Sequence, residues 1–226
     1  MELRNKPLEK RFMKRRYMGK VVTGLIAGLM LAGGALAQTS EEAPDALVKR
    51  LSTDVLETIK ADKTIALGDT AKVVSLVETK VMPHVNFERM TASAVGPAWR
   101  QATPEQKKRL QDEFKKLLVR TYSGALSQVS DQVITVKPFR AAAEDKEVIV
   151  KTEIRGGGDP IQLDYRLEKT PGVGVGWKIY NLNVLGIWLV ETYRSQFAQE
   201  ISAKGIDGLI NTLAERNKAN ASAKKA

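Results

Sequence analysis

The chain has 226 residues, of which 43% are apolar, and it contains one histidine and no cysteine. The lack of cysteine excludes disulfide bonds and thiolate zinc sites, so the fold must depend on its apolar core. The formal net charge is +10. Residues 1–37 supply +6 of this charge, because they contain eight Lys and Arg but only two Glu. Residues 38–226 therefore have a net charge of only +4, which argues against nucleic-acid binding.

Residues 1–37 have the organisation of a cleavable export signal. A basic segment ends at Lys20, an apolar core follows over residues 21–31, and Ala35-Leu36-Ala37 fits the small-x-small cleavage pattern. We therefore predict a mature chain that begins at Gln38. An uncleaved membrane anchor is the alternative, and the shortness of the apolar run and its content of Gly and Ala argue against it. Export by the Sec route and by the twin-arginine route both remain open.

Four amphipathic helices are predicted in the first half of the mature chain. The first begins at Pro44 and ends near Asp62, with leucine, valine and isoleucine at four-residue spacing. The second begins after Asp69 and ends at Pro83, which cannot continue a helix. The third follows Asn86 and ends at Gly96-Pro97. The fourth, a long helix, begins at the capping box Thr103-Pro104-Glu105-Gln106.

An antiparallel sheet of about four strands is predicted next. Residues 133–136 are a short run rich in β-branched side chains that ends before Pro138. Residues 148–155 and 161–168 have alternating faces, one apolar and one charged, and we expect them to form an antiparallel hairpin. Strict alternation in the strand that starts at Trp177 predicts two faces. One face would carry Trp177, Ile179, Asn181 and Asn183, and the other Lys178, Tyr180, Leu182 and Val184.

The spacing of the apolar residues changes from that of a strand to that of a helix at Gly186. Leu189, Tyr193 and Phe197 recur every four residues, which indicates a helix whose apolar stripe crosses the sheet, with a break at Gly205. Residues 214–226 are basic and rich in Ala, and we expect them to be disordered. Helices, then a sheet, then helices indicate an α+β fold.

The sequence contains no recognisable catalytic or metal-binding motif. His84 is the only histidine, and we expect a structural or surface role for it. The glycines at 172, 174 and 176 precede a strand rather than a helix, so they indicate a hairpin turn and not a phosphate loop. Asp164 and Glu168 alternate onto the charged side of their strand, which favours a solvated surface over an acid/base pair. The aromatic residues around the last strand fit an ordinary core or the wall of a cavity, and composition favours the core.

Seven segments together are typical of one protein family. They are Met82-Pro83-His84-Val85-Asn86-Phe87-Glu88-Arg89-Met90, Gly96-x-x-Trp99-Arg100-x-Ala102-Thr103-x-x-Gln106, Phe114-x-x-Leu117-Leu118-x-x-Thr121-Tyr122, Pro160-x-x-x-Asp164-Tyr165-Arg166-Leu167, Trp177-Lys178-x-Tyr180-Asn181, Tyr193-Arg194-x-Gln196-Phe197 and Gly205-Ile206-Asp207-Gly208-Leu209. In matching order over nearly all of the mature chain, these segments resemble the MlaC family, also called the toluene-tolerance family.

The resemblance implies a fold and a role. The fold is a curved, NTF2-like antiparallel sheet over residues 38–213, wrapped by N-terminal and C-terminal helices around an apolar lipid cavity. The role is that of a periplasmic phospholipid carrier, not an enzyme, with bound phospholipid as cargo and no cofactor. Its partners would be an inner-membrane ABC transporter complex with a lipid-binding subunit and an outer-membrane lipoprotein–porin complex. Such a carrier would maintain the lipid asymmetry of the outer membrane.

Three alternatives remain beside this role. An NTF2-like cone can host an enzyme, or it can bind another small hydrophobic ligand. An inert scaffold, the third alternative, would have a filled core. The candidates for docking to a partner are Arg100, Lys107 and Lys108.

The sequence departs from the family at Leu185 and Trp188, where an acidic residue and a serine are frequent.

The phases of strands and helices predict which side chains line the lipid cavity. Each lies on an apolar stripe or strand face near the sheet. The predicted lipid-binding residues are Phe114, Leu118, Tyr122, Val148, Val150, Leu163, Tyr165, Trp177, Ile179, Val184, Ile187, Trp188 and Tyr193.

Overall fold

A five-stranded antiparallel sheet organises the computed structural model, which describes residues 41–67, 69–126, 129, 131–156 and 159–223. These residues belong to one compact unit, residues 38–226. The predicted signal peptide, residues 1–37, lies outside the described residues. The strands lie side by side in chain order: β1 (Val133–Val136), β2 (Glu147–Arg155), β3 (Ile161–Lys169), β4 (Trp177–Val184) and β5 (Ile187–Trp188).

Six α-helices accompany the sheet within these ranges, and the first and the last contribute to the apolar clusters that cover it. The predicted α+β class is therefore confirmed. No helix in the described ranges has the length and apolar composition needed to cross a bilayer. The helices are α1 (Pro44–Ala61), α2 (Lys63–Ala66), α3 (Thr70–Leu76), α4 (Phe87–Val95), α5 (Pro104–Leu126) and α6 (Leu189–Ala223).

Side-chain caps start three of the helices where the sequence predicts them. The Asp69 carboxylate accepts hydrogen bonds from the first amides of α3, and the Asn86 side chain accepts one from the Arg89 amide at 3.0 Å. Thr103 and Gln106 form the expected reciprocal capping box, with N–O distances of 3.0 and 3.2 Å. These contacts satisfy amides that have no partner inside the helix.

The second predicted helix changes its winding before Pro83. α3 ends at Leu76, and the chain continues as a π-helical turn over Val77–Val81 and a 3₁₀ turn over Met82–His84. Pro83 has no amide N–H to donate to the carbonyl of Thr79, and its ring would clash with that carbonyl in an α-helix. The prediction of a regular helix as far as Pro83 is therefore wrong.

A β-bulge at Tyr180 switches the faces of β4. Leu167 pairs with Ile179 and Arg166 pairs with Asn181, so Tyr180 is an extra residue without its own partner. Residues that pair directly lie on the same face of a sheet. The predicted strict alternation is therefore wrong: the apolar face carries Trp177, Ile179, Leu182 and Val184, whereas Asn181 and Asn183 lie on the opposite, polar face.

The last helix is longer than predicted. It bends at Gly205, where φ is +70°, and then continues to Ala223. The buried Asn217 amide donates a hydrogen bond to the Glu113 carbonyl on α5 at 2.9 Å. This contact holds the end of the chain on the fold, so the prediction of a disordered tail is wrong for residues 214–223.

Replacing Thr103 by Ala is expected to lower the free energy of unfolding by about 1 kcal/mol, because the hydroxyl that caps the Gln106 amide is lost. Urea unfolding followed by circular dichroism measures the change. Thr103→Ser keeps the hydroxyl and serves as the control. Equal losses in the two variants would contradict a capping role.

Candidate functional site

Two apolar clusters cover the same face of the sheet. The helical cluster joins α4, α5 and α6, and the sheet cluster joins α1 to β2, β3 and the first half of β4. The buried side chains of the helical cluster are Met90, Ala94, Val95, Leu110, Phe114, Leu117, Leu189, Val190, Tyr193, Phe197, Leu209, Ile210 and Leu213. Those of the sheet cluster are Leu47, Val48, Leu51, Val148, Val150, Tyr165, Leu167, Trp177 and Ile179.

Most of the predicted lipid-binding residues lie in or beside these clusters, divided between the two. Those of the helical cluster are Phe114, Leu118, Val184 and Tyr193. Those of the sheet cluster are Val148, Val150, Leu163, Tyr165, Trp177 and Ile179. The structure therefore brings ten of the predicted residues to one face of the sheet, in two groups.

The other three predicted residues lie outside the clusters. Tyr122 is 36% exposed on α5, and Ile187 is 58% exposed on β5. Trp188 pairs with Asn183 and therefore lies on the polar face, where the Arg166 guanidinium stacks on its ring at 3.9 Å. The expected position of Trp188 on the apolar face is wrong.

A strip of half-buried apolar residues separates the clusters, and we call Val85, Leu163, Leu182 and Val184 the seam. Val85 and Leu182 contact both clusters, Leu163 contacts the sheet cluster, and Val184 contacts the helical cluster. Leu163 and Val184 are direct cross-strand partners. The seam therefore lies where the two clusters meet, and neither group of helices covers it fully.

Sequence reasoning missed Val85 and Leu182. Leu182 was expected on the face opposite Trp177 and Ile179, because the bulge at Tyr180 leaves no pattern in the sequence. Val85 joins the apolar face through a parallel bridge to Ile179, formed by the short segment between the 3₁₀ turn and α4. The proximity of Val85 to the Asn86 cap is the only local signal, and it does not indicate a contact with the sheet.

The helical cluster is closely packed around Phe114. The Phe114 ring lies 4.9 Å from Tyr193, 5.2 Å from Phe197 and 5.8 Å from Phe87, measured between ring centroids. The first two pairs meet edge to face, which is a favoured arrangement of aromatic rings. Phe114 and Tyr193 therefore hold α5 against α6, as an ordinary core would.

The sheet cluster is tied to α1 by one polar contact. The hydroxyls of Ser52 on α1 and Tyr165 on β3 lie 3.0 Å apart. Burial raises the pKa of Tyr165 to about 12, so this hydroxyl is neutral over the physiological range. The contact fixes where α1 crosses the sheet, at the edge of the seam.

The polar face carries a network of ion pairs instead of an acid/base pair. The Arg89 guanidinium bridges Glu168 and Glu147 and stacks on the Tyr180 ring at 3.7 Å. Its hydrogen bond holds the pKa of Glu147 below the usual range. Asp164, expected on a solvated surface, is buried and accepts a hydrogen bond from Gln162 at 2.6 Å. These carboxylates are held by structural partners.

His84 lies half-buried where the 3₁₀ turn meets the sheet. Burial lowers the pKa of its imidazole, and the positive charges of Arg50 and Lys178 add to the effect. Across residues 41–67, 69–126, 129, 131–156 and 159–223, no group of three or more His, Asp or Glu side chains is placed to hold a metal ion.

A cleft of about 400 Å³ lies on the other side of α5, between that helix and the segment from α3 to the π-helical turn. Val74, Val77 and Val119 form apolar parts of its wall, and the ion pair of Lys115 with Glu78 crosses it at 2.7 Å. None of the predicted lipid-binding residues lines this cleft.

Comparison with known proteins identifies similar sequences. The family profile described as MlaC protein matches residues 49–215. The toluene tolerance protein Ttg2D of Pseudomonas putida is 29% identical over 181 residues, covering 79% of this chain and 82% of that protein. The intermembrane phospholipid transport system binding protein MlaC of Haemophilus influenzae is 22% identical over 195 residues, covering 85% and 89%.

One solved structure is similar in both sequence and fold. It is the phospholipid-binding protein from Ralstonia solanacearum, determined in complex with a phospholipid. It superposes with a TM-score of 0.76 at 48% identity, and the alignment covers 80% of this chain and 99% of that one.

The buried Tyr165 predicts a loss of stability at alkaline pH. Its pKa of about 12 in the folded protein exceeds the ordinary value of 10.0, so unfolding releases a proton between these values. The free energy of unfolding should therefore fall as the pH rises from 10 to 12. Denaturant unfolding at several pH values measures it. Tyr165→Phe is the matched control, since it should lack this part of the decline, and parallel curves for the two proteins would contradict the prediction.

Proposed function

The chain belongs to the MlaC protein family, and we propose that it is a periplasmic carrier that shuttles glycerophospholipid between complexes of the outer and inner membranes. The observation that carries this proposal is the likeness to the Ralstonia solanacearum protein, whose structure was determined with a phospholipid, at 48% identity. The Haemophilus influenzae relative is named as a binding protein of a phospholipid transport system, so the family is one of transport proteins and not of enzymes.

The seam is the place in this chain that best suits acyl chains. A sixteen-carbon chain left in water costs on the order of 12 kcal/mol, so a carrier must offer a long apolar contact. Leu163, Leu182 and Val184 supply one along the sheet, and their side chains are only half-buried. The residues of the adjoining clusters can add contacts once the seam widens.

The arrangement of the helices suits such widening. α1 rests on the sheet cluster and is fixed by the Ser52–Tyr165 contact, whereas α4, α5 and α6 form the helical cluster. A chain that enters between them would displace the contacts of Val85 and Leu182, the seam residues that touch both clusters. Away from the seam, Val119 of α5 packs on the cluster of Ile59, Ile65, Val73 and Leu76, which links α5 to α1.

The export signal and the surface charges support the rest of the proposal. Cleavage after Ala37 would release residues 38–226 into the periplasm, where carriers move between the two membranes. Arg100 is exposed, and Lys107 lies 5.6 Å from the Trp99 ring next to it. This surface suits docking to acidic regions of an inner-membrane ABC transporter complex or of an outer-membrane lipoprotein–porin complex.

Native mass spectrometry tests the proposal directly. Residues 38–226, purified without detergent, are expected to carry phospholipid in near-stoichiometric amount, identified after organic extraction. A protein of clean apo mass that also fails to load from liposomes would contradict the carrier. Such a result would favour an enzyme, a scaffold or a binder of another small hydrophobic ligand.

Two substitutions on opposite faces of the sheet test the place of binding. Leu163→Gln puts a polar group on the seam and should lower phospholipid retention roughly tenfold, because it removes apolar contact with the cargo. Ile149→Gln alters an exposed position on the polar face of β2 and should leave retention unchanged. Mass spectrometry of lipid bound after dilution measures both, and equal retention in the two variants would contradict the assignment of the seam.

A further inference from the structure

The hairpin between β4 and β5 holds a leucine in a backbone conformation that leucine disfavours. Leu185 and Gly186 form its two-residue turn, with φ of +52° and +86°. Two positive φ values are what a type I′ turn requires, and Asn-Gly is the favoured sequence for it. Leu185 is the only residue other than glycine with positive φ among the described residues. Turn formation therefore does not explain this leucine.

Packing does not explain it either. The Leu185 side chain is 63% exposed, and its neighbour Ile187 is exposed to a similar extent. Ile161, at the start of the adjacent β3, is also exposed. The Leu185 amide bonds to the Gln162 carbonyl at 3.0 Å, which places the turn beside that strand end. The three aliphatic side chains form an exposed apolar tip, and we call Ile161, Leu185 and Ile187 the hairpin tip.

The hairpin tip is continuous with the seam. Leu163, Val184 and Ile187 are successive cross-strand partners on the apolar face of β3, β4 and β5. Ile187 is therefore the exposed end of a row whose other two members belong to the seam. An apolar path leads along this row from the surface of the protein to the place proposed for the acyl chains.

We propose that the hairpin tip inserts into the apolar layer of a lipid bilayer surface. The inference rests on the proposed function, since it adds the surface across which the cargo would pass. The path from the tip to the seam would let an acyl chain move between bilayer and protein without crossing water. A lipid layer suits the tip because Ile161, Leu185 and Ile187 are exposed, aliphatic and uncharged.

Both amide N–H groups of the turn already have partners within the protein. The Leu185 amide is bonded to Gln162, and the Gly186 amide is bonded to the Asn183 side chain at 2.8 Å. Entry into the apolar layer therefore leaves neither amide without a partner, which would otherwise be costly. At the base of the hairpin, Trp188 lies under the Arg166 guanidinium. An aromatic ring with a polar partner suits the depth of the lipid headgroups.

The proposed contact is small and therefore reversible. Few aliphatic side chains enter the bilayer, which gives only a weak and brief association. A carrier must leave each membrane after exchange, so weak binding is what this role requires.

Co-sedimentation with phosphatidylcholine vesicles tests the inference on residues 38–226. Leu185→Asn removes the apolar side chain and supplies the residue favoured in the turn, so the melting temperature should stay the same or rise. Vesicle binding should fall about tenfold. The control is Leu67→Asn, at a leucine that is 85% exposed at the end of α2. It should bind vesicles like the wild type.

The outcomes separate this inference from the proposed function. Equal binding by the wild type and Leu185→Asn, equal losses in both variants, or no binding by the wild type would each overturn the membrane contact. Binding that appears only with vesicles carrying a partner protein would overturn it too. Native mass spectrometry of the same samples reports the cargo: phospholipid retained by Leu185→Asn with weaker vesicle binding supports both proposals. Loss of vesicle binding in Leu185→Asn, with no phospholipid in the wild type, supports the membrane contact and contradicts the carrier.

Discussion

One extra residue in β4 keeps a single face of the sheet apolar along its length. Without the bulge at Tyr180, regular alternation would turn Leu182 and Val184 away from the side that Trp177 and Ile179 occupy. The sheet cluster would then end at the middle of the strand, and the helical cluster would have no sheet to pack on. The two clusters and the seam between them all depend on this irregularity.

The same bulge prepares the start of α6. It turns Asn181 to the polar face, where the side-chain oxygen accepts hydrogen bonds from the amides of Leu182 and Val190, and the side-chain amide donates to Glu191 at 2.8 Å. The Val190 amide lies in the first turn of the helix and has no partner within it. The position of α6 over the sheet is therefore fixed by a residue that the bulge releases from the apolar face. This couples the packing of the helix to the register of the strand.

Most of the helices and strands could be predicted from the sequence, because their ends depend on local chemistry. Features that depend on contacts between distant segments could not be predicted. The capping residues Asp69, Asn86 and Thr103 each act on amides two or three positions away, so short stretches of sequence contain the whole signal. The face of Leu182 depends on how β4 pairs with β3, and the burial of Asn217 depends on α5, more than a hundred residues earlier. Most apolar residues of the candidate site could be predicted from their spacing along strands and helices, whereas their division into two clusters could not. Periodicity records which side of an element is apolar but not which neighbour covers it.

The half-buried state of the seam has a consequence for the proposed carrier role. Val85, Leu163, Leu182 and Val184 keep part of their surface in water when no ligand covers them, and a bound acyl chain would shield it. If the chain is the carrier proposed above, its loaded form is the one better protected against self-association. Proteolysis would then act mainly on the unloaded form, and the supply of cargo would set how long each molecule survives.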